Sequence, residues 1–142
     1  MTRDSLLTDD DTFVLGNLGT AAITNGRGDE AMNVIHVLQD ERPDHAGGFL
    51  MEAMHLSSKG QISEAIAVLE DGAAFEATTN RDEALATHLV LLQADGQLDR
   101  ALDLGHAYLD EGFISSESAH HTIRTVIEEI ESALAEHQMR CA

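Results

Sequence analysis

Three stretches decide the fold: Gly26-Arg27-Gly28-Asp29-Glu30-Ala31, Gly60-Gln61-Ile62-Ser63-Glu64-Ala65 and Gly96-Gln97-Leu98-Asp99-Arg100-Ala101. Each opens on a glycine able to take the backbone conformation that ends a helix. Each then offers a side chain (Asp29, Ser63 or Asp99) that can accept hydrogen bonds from the first amides of the next helix, and closes on a small alanine. Gly26 and Gly60 are 34 residues apart, and Gly60 and Gly96 are 36 apart. A turn followed by a helix start, recurring at that interval, marks stacked helical hairpins in which no single unit buries its apolar face alone.

Outward from these turns, helices are predicted over 12–25, 29–41, 44–58, 63–75, 81–95 and 99–111, grouped into three repeats at 12–45, 46–79 and 82–115. A seventh follows at 116–138, where Ala119, Ile123, Val126, Ile127, Ile130, Ala133 and Leu134 recur at steps of three or four and define one apolar face. Ser115, Ser116 and Ser118 supply capping hydroxyls, and Glu117 suits the positive end of that helix's dipole. A repeat stack leaves its last hairpin uncovered, so this helix is expected to cap it, with partner binding or dimerisation as the alternative. Residues 1–11 read as a flexible acidic N-terminus and 139–142 as a tail. The expected class is all-α: three helical hairpins in a short solenoid with a C-terminal capping helix.

Composition agrees. The chain of 142 residues is 43% hydrophobic, with a single proline and no tryptophan, enough for one helical core. Its formal net charge of −18, from 26 acidic and 8 basic residues, repels nucleic-acid phosphates and anionic lipid and can steer a basic partner. The lone Cys141 near the C-terminus leaves no internal disulfide, which favours a reducing, cytoplasmic setting. The N-terminus lacks the apolar run of a signal peptide, and no window approaches the roughly 20 apolar residues of a membrane span.

The period, the small residues Gly19 and Ala31, and the closing Pro43 identify residues 12–115 as resembling the tetratricopeptide-repeat (TPR) superfamily. The second repeat keeps Ala53 and Ala65 without the proline. The third keeps Ala101 but sets Leu89 at the first small position. More narrowly, the small size and the stretches Gly28 to Ile35 and Gly60 to Leu69 look like the small TPR chaperones of bacterial type III secretion, of the needle-subunit type. That resemblance implies a non-catalytic protein-binding role, holding an amphipathic helix of a secreted or filament-forming subunit, with a small co-chaperone beside it. A general TPR scaffold, adaptor or self-associating homo-oligomer is the alternative.

In TPR stacks the first helix of each hairpin lines a concave groove. By register, Phe13, Thr20, Ile23, Leu50, Met54, Ala86, Val90 and Gln93 are expected there. Mostly apolar, they would accept the apolar face of a helix, with Met54 adjusting its shape. Basic residues fall mostly at turns and helix ends, which disfavours an acidic peptide tail as ligand. No cofactor or metal is expected: His120 and His121 are adjacent on a helix and point about 100° apart, and neither HExxH nor paired CxxC occurs with His137 and Cys141. No glycine-rich phosphate loop is present either, so an enzyme is not expected.

Overall fold

Helix formation begins where the chain supplies a cap. In the computed structural model, which describes residues 6–110 and 112–141, the Asp11 amide donates to Thr8 Oγ1 (3.1 Å) and the Thr8 amide donates to the Asp11 carboxylate (3.0 Å). This reciprocal capping box starts α1 (Asp9–Thr24) three residues before the expected start. Asp9, Asp10 and Asp11 therefore form a first helical turn, where their charge suits the helix dipole, in place of the flexible lead expected for them. The rest of that expected lead, residues 1–5, lies outside the described residues, as does residue 142 of the expected tail. The bonds to Thr8, the one from its amide foremost, hold the Asp11 carboxyl below its ordinary range.

Six more helices follow: α2 (Gly28–Glu41), α3 (Gly47–Ser58), α4 (Ile62–Asp71), α5 (Arg81–Ala94), α6 (Leu98–Asp110) and α7 (Glu117–Cys141), with a short 3-10 turn at Ala74–Glu76. The described residues contain no strand, so the all-α expectation holds. None of the described helices is long and apolar enough to cross a membrane.

The three diagnostic glycines behave alike. Gly26, Gly60 and Gly96 have φ of 75°, 78° and 80°. Their amides reach back to Ile23, Ser57 and Gln93, and the next amides (Arg27, Gln61, Gln97) reach Ala22, Leu56 and Leu92 at 2.7, 2.9 and 2.9 Å. Each is a Schellman turn, and an L side chain at the glycine would pay the left-handed penalty. The expected capping by Asp29 and Ser63 is not what forms. Helices α2 and α4 start one residue early, at Gly28 and Ile62, after Arg27 and Gln61, neither of which makes a side-chain cap bond. Asp29 and Ser63 thus sit inside their helices' first turns, and Asp29 turns to α3 instead.

The chain divides into two compact units, Met1–Arg81 and Asp82–Ala142. In the first, α1 packs on α2, α2 on α3 and α3 on α4, while α1 also touches α3. Small residues set these approaches: a Cβ on Gly19 would collide with the Met51 methyl, and one on Gly28 with the His55 ring. Ile35, Ala53, Ala65 and Leu69 are fully buried around them. Helix α3 starts at Gly47 and not at residue 44 because the residues before it pair sideways. Asp44 O accepts the Thr78 and Thr79 amides at 2.9 and 3.2 Å, and Ala46 N donates to Thr79 O at 2.9 Å. Helix α4 ends at Asp71, short of the expected 75, where Gly72 turns extended (ψ 179°) against the Phe49 ring.

In the second unit α5 is buried on nearly every side, at Ala84, Leu85, Ala86, His88, Leu89 and Leu92 among others. The large Leu89 at an expected small position is accommodated by Gly105 on α6, where a Cβ would stand 3.4 Å from Leu89 and 3.0 Å from Ile127. Helix α7 packs on α6 and buries Ala119, Ile123, Val126, Ile127 and Ile130. Of the rest of its expected face, Ala133 is exposed and Leu134 half-buried. Ser116 Oγ accepts the Ala119 amide (3.2 Å), and Asp82 holds the preceding connector by accepting the Ser115 and Ser116 amides at 2.8 and 2.9 Å.

Two glycine substitutions should move stability in opposite directions. Gly96→Val, in the left-handed turn, is expected to cost about 1–2 kcal/mol. Gly16→Ala, inside α1 where a Cβ meets nothing within 4 Å, is expected to add about 0.5–1 kcal/mol. Urea unfolding followed by circular dichroism measures both.

Candidate functional site

Helix α1 carries Phe13, Val14, Leu15, Leu18 and Ile23, apolar residues distributed around its circumference, yet Gly19 is its one buried residue. Phe13 is 71% exposed, Leu18 59% and Val14 54%. A helix apolar on several sides ordinarily lies inside a core, so this one presents surface that calls for cover.

On one side of α1, Phe13, Gly16, Asn17 and Thr20 form a wall of a cavity of about 520 Å³. Leu38 of α2 and Arg42 just past its end, with Gly48 and Met51 of α3, supply much of the rest. The volume is in the range of sites that take a ligand or several side chains of a partner. Its polar edge is fixed from within. Arg42 Nη2 donates to the Leu7 carbonyl (3.3 Å) and to Asp9 (3.1 Å), which holds the guanidinium at the rim, with the side chain 23% exposed. His45 Nδ1 accepts the Gly47 amide at 3.0 Å, which puts the ring's acceptor nitrogen on the first turn of α3. Asn80, also at the cavity, has φ of 60°, the left-handed value that asparagine tolerates best among non-glycine residues.

Of the eight residues expected to line a groove, Phe13 and Thr20 meet in this cavity. Ile23 and Leu50 are half-buried and Met54 is 54% exposed, and none of the three is in its lining. Ala86 and Val90 belong to the second unit, in a shallow depression of about 190 Å³ between α5 and α7 that Ser118 and Thr122 complete. Ala86 is buried and Val90 41% exposed. Gln93 is engaged within its own unit, where its Nε2 donates to Glu129 at 2.9 Å. Sequence reasoning missed Met51, Arg42, His45 and Asn80. Gly19 signalled a close approach to α1, but only the structure shows that the approaching side chain is that of Met51.

A second cluster ties α2 to the end of α3. His55, almost wholly buried, bonds through Nε2 to the Asp29 carboxylate at 2.7 Å, and Lys59 Nζ donates to the same carboxylate at 3.0 Å. The His55 bond first, then the Lys59 bond, hold the Asp29 carboxyl below its ordinary value of 3.8. Elsewhere His120 contacts Arg124 at 3.4 Å and His137 contacts Cys141 at 3.7 Å. Among the described residues no three His, Cys, Asp or Glu side chains converge as a metal site would require. Compared with protein families, curated proteins and solved structures, the chain matches none.

The sign of the Asp29 contribution follows from its lowered pKa. A carboxyl whose folded value lies under its unfolded one stabilises fully above the unfolded value and loses that contribution as pH falls through the folded one. The stability that Asp29 contributes relative to Asp29→Asn should therefore shrink as pH falls below the ordinary carboxyl value of 3.8. Urea midpoints measured across pH 2–7 test this, and a difference that grows on acidification would contradict the assignment.

Proposed function

We propose that this chain is a TPR-like helical repeat protein that works without catalysis, by holding an amphipathic helix of another protein against α1. The observation that carries the reading is the pairing of exposed apolar residues with a hollow: Phe13 stands 71% exposed at the edge of a cavity of about 520 Å³ floored by Leu38 and Met51. Helix-in-groove recognition uses apolar anchors three or four residues apart, and a methionine-floored hollow adapts to their shapes. The repeat assignment is supported by the three matching glycine turns and by side-by-side contacts between equivalent positions one repeat apart.

The narrower reading is of a cytoplasmic chaperone of the type III secretion kind, whose cargo is a secreted or filament-forming subunit. It is supported by the resemblance of Gly28 to Ile35 and Gly60 to Leu69, and by the fit between an aggregation-prone helix and a cavity that would mask it. The net charge of −18 favours cargo with a basic polar face.

A photo-crosslinking amino acid placed at Phe13 in cells tests the proposal, with the same group at the exposed Glu64 as control. The expected product joins position 13 to an amphipathic helical segment of a partner. With that partner purified, Phe13→Glu should weaken binding at least about tenfold, a loss matching one buried aromatic anchor, with the helical circular dichroism unchanged. Equal crosslinking from both positions, or unchanged affinity in Phe13→Glu, would sink the reading.

A further inference from the structure

The opposite side of α1 carries a second apolar face, separate from the cavity that holds the proposed cargo. Val14, Leu18, Ala21 and Asn25 follow one another at steps of four, three and four, one stripe along the helix. Val14 and Leu18 form a ridge, 54% and 59% exposed. Beside them lies a hollow of about 410 Å³ whose floor is made small by Gly19, Ala21, Ala22 and Ala31. Val37 of α2, 45% exposed, lies on the helix face one turn beyond Val34, which closes the hollow. Ridge and hollow therefore share one surface and are displaced along α1 by about one turn.

That displacement is what a two-fold axis resolves. With the axis through Leu18 and the two α1 helices antiparallel, each position before residue 18 in one copy lies opposite the position equally far after it in the other. Val14 then enters the hollow at Ala22, Leu18 meets Leu18, and Asp10 falls opposite Gly26, within reach of the adjoining Arg27 of the other copy. The surface is complementary to itself, as an isologous interface must be. Local charge at this surface is compatible with the same occupant. A chain of net charge −18 repels its copy over most of its surface. Here the charges at the hollow, Arg27 and Glu30, already offset each other at 2.6 Å. Arg27, with 68% of its side chain exposed, retains donors for a second carboxylate. Antiparallel helices also oppose their dipoles favourably. The geometry points to a second copy of this chain as the occupant, in a two-fold dimer through the Val14–Leu18 face of α1 that leaves the Phe13 cavity open to cargo.

Sedimentation equilibrium of the full chain from micromolar to millimolar concentration tests it, without cargo, so that failure here leaves the cargo reading standing and the reverse. The wild type is expected to dimerise. Leu18→Glu should raise the dimer dissociation constant at least about tenfold, since the lost apolar burial counts once in each copy. Because Leu18 is already exposed, its helical signal should be unchanged. Asp10→Arg should weaken the dimer, and Asp10→Arg combined with Arg27→Asp should recover it relative to Asp10→Arg alone. A wild type monomeric throughout, an unweakened dimer in Leu18→Glu, or charge reversals that fail to compensate would each overturn the proposal.

Discussion

Everything in this fold follows from a glycine held in the left-handed region at the end of a helix. At Gly26, Gly60 and Gly96 the same pair of backbone hydrogen bonds forms, so each helix stops at a defined residue and its successor starts two residues after the glycine. Turn geometry repeated at intervals of 34 and 36 residues makes the connectors on the other side repeat as well. Arg42 reaches the Leu7 carbonyl 35 residues back, Thr78 reaches Asp44 across 34, and Ser116 reaches Asp82 across 34. The repeat is thus written twice in hydrogen bonds, within the turns and between equivalent connectors.

Between those fixed points the helices can approach only where side chains are small. Gly19 admits Met51, Gly28 admits the His55 ring, and Gly105 admits Ile127 and Leu89. The third site shows how a repeat tolerates divergence: a leucine arrived at a position expected to be small, and the space moved to a glycine on the neighbouring helix. Close packing requires that volume be conserved locally, without requiring it at the same residue in each unit.

This is also why the fold was legible and the site only in part. Glycine spacing and apolar periodicity are local signals, and they placed all seven helices to within a few residues. The boundaries that moved were those decided by tertiary contacts: α3 lost its first turn to pairing with Thr78 and Thr79, and α4 was cut short where Gly72 meets Phe49. Asp29 showed the same effect in a side chain, since its helix began one residue early and its carboxylate went to His55 and Lys59. Phe13 and Thr20 fall in one cavity because they lie on the same face of α1, the face that a repeat register points inward. Met51, Arg42 and Asn80 come from three other segments, and no period within α1 could have named them.

The connector contacts carry a kinetic consequence. Leu7 with Arg42, Asp44 with Thr78 and Asp82 with Ser116 each close a loop of one repeat, so the closure entropy is nearly the same at every step along the chain. None of these closures requires distant ends of the chain to find each other, and low sequence separation of contacts is what makes helical proteins fold fast. Within each of the two units, then, the contacts that close the connectors span about the same length of chain, and no single closure is set apart as the costly one.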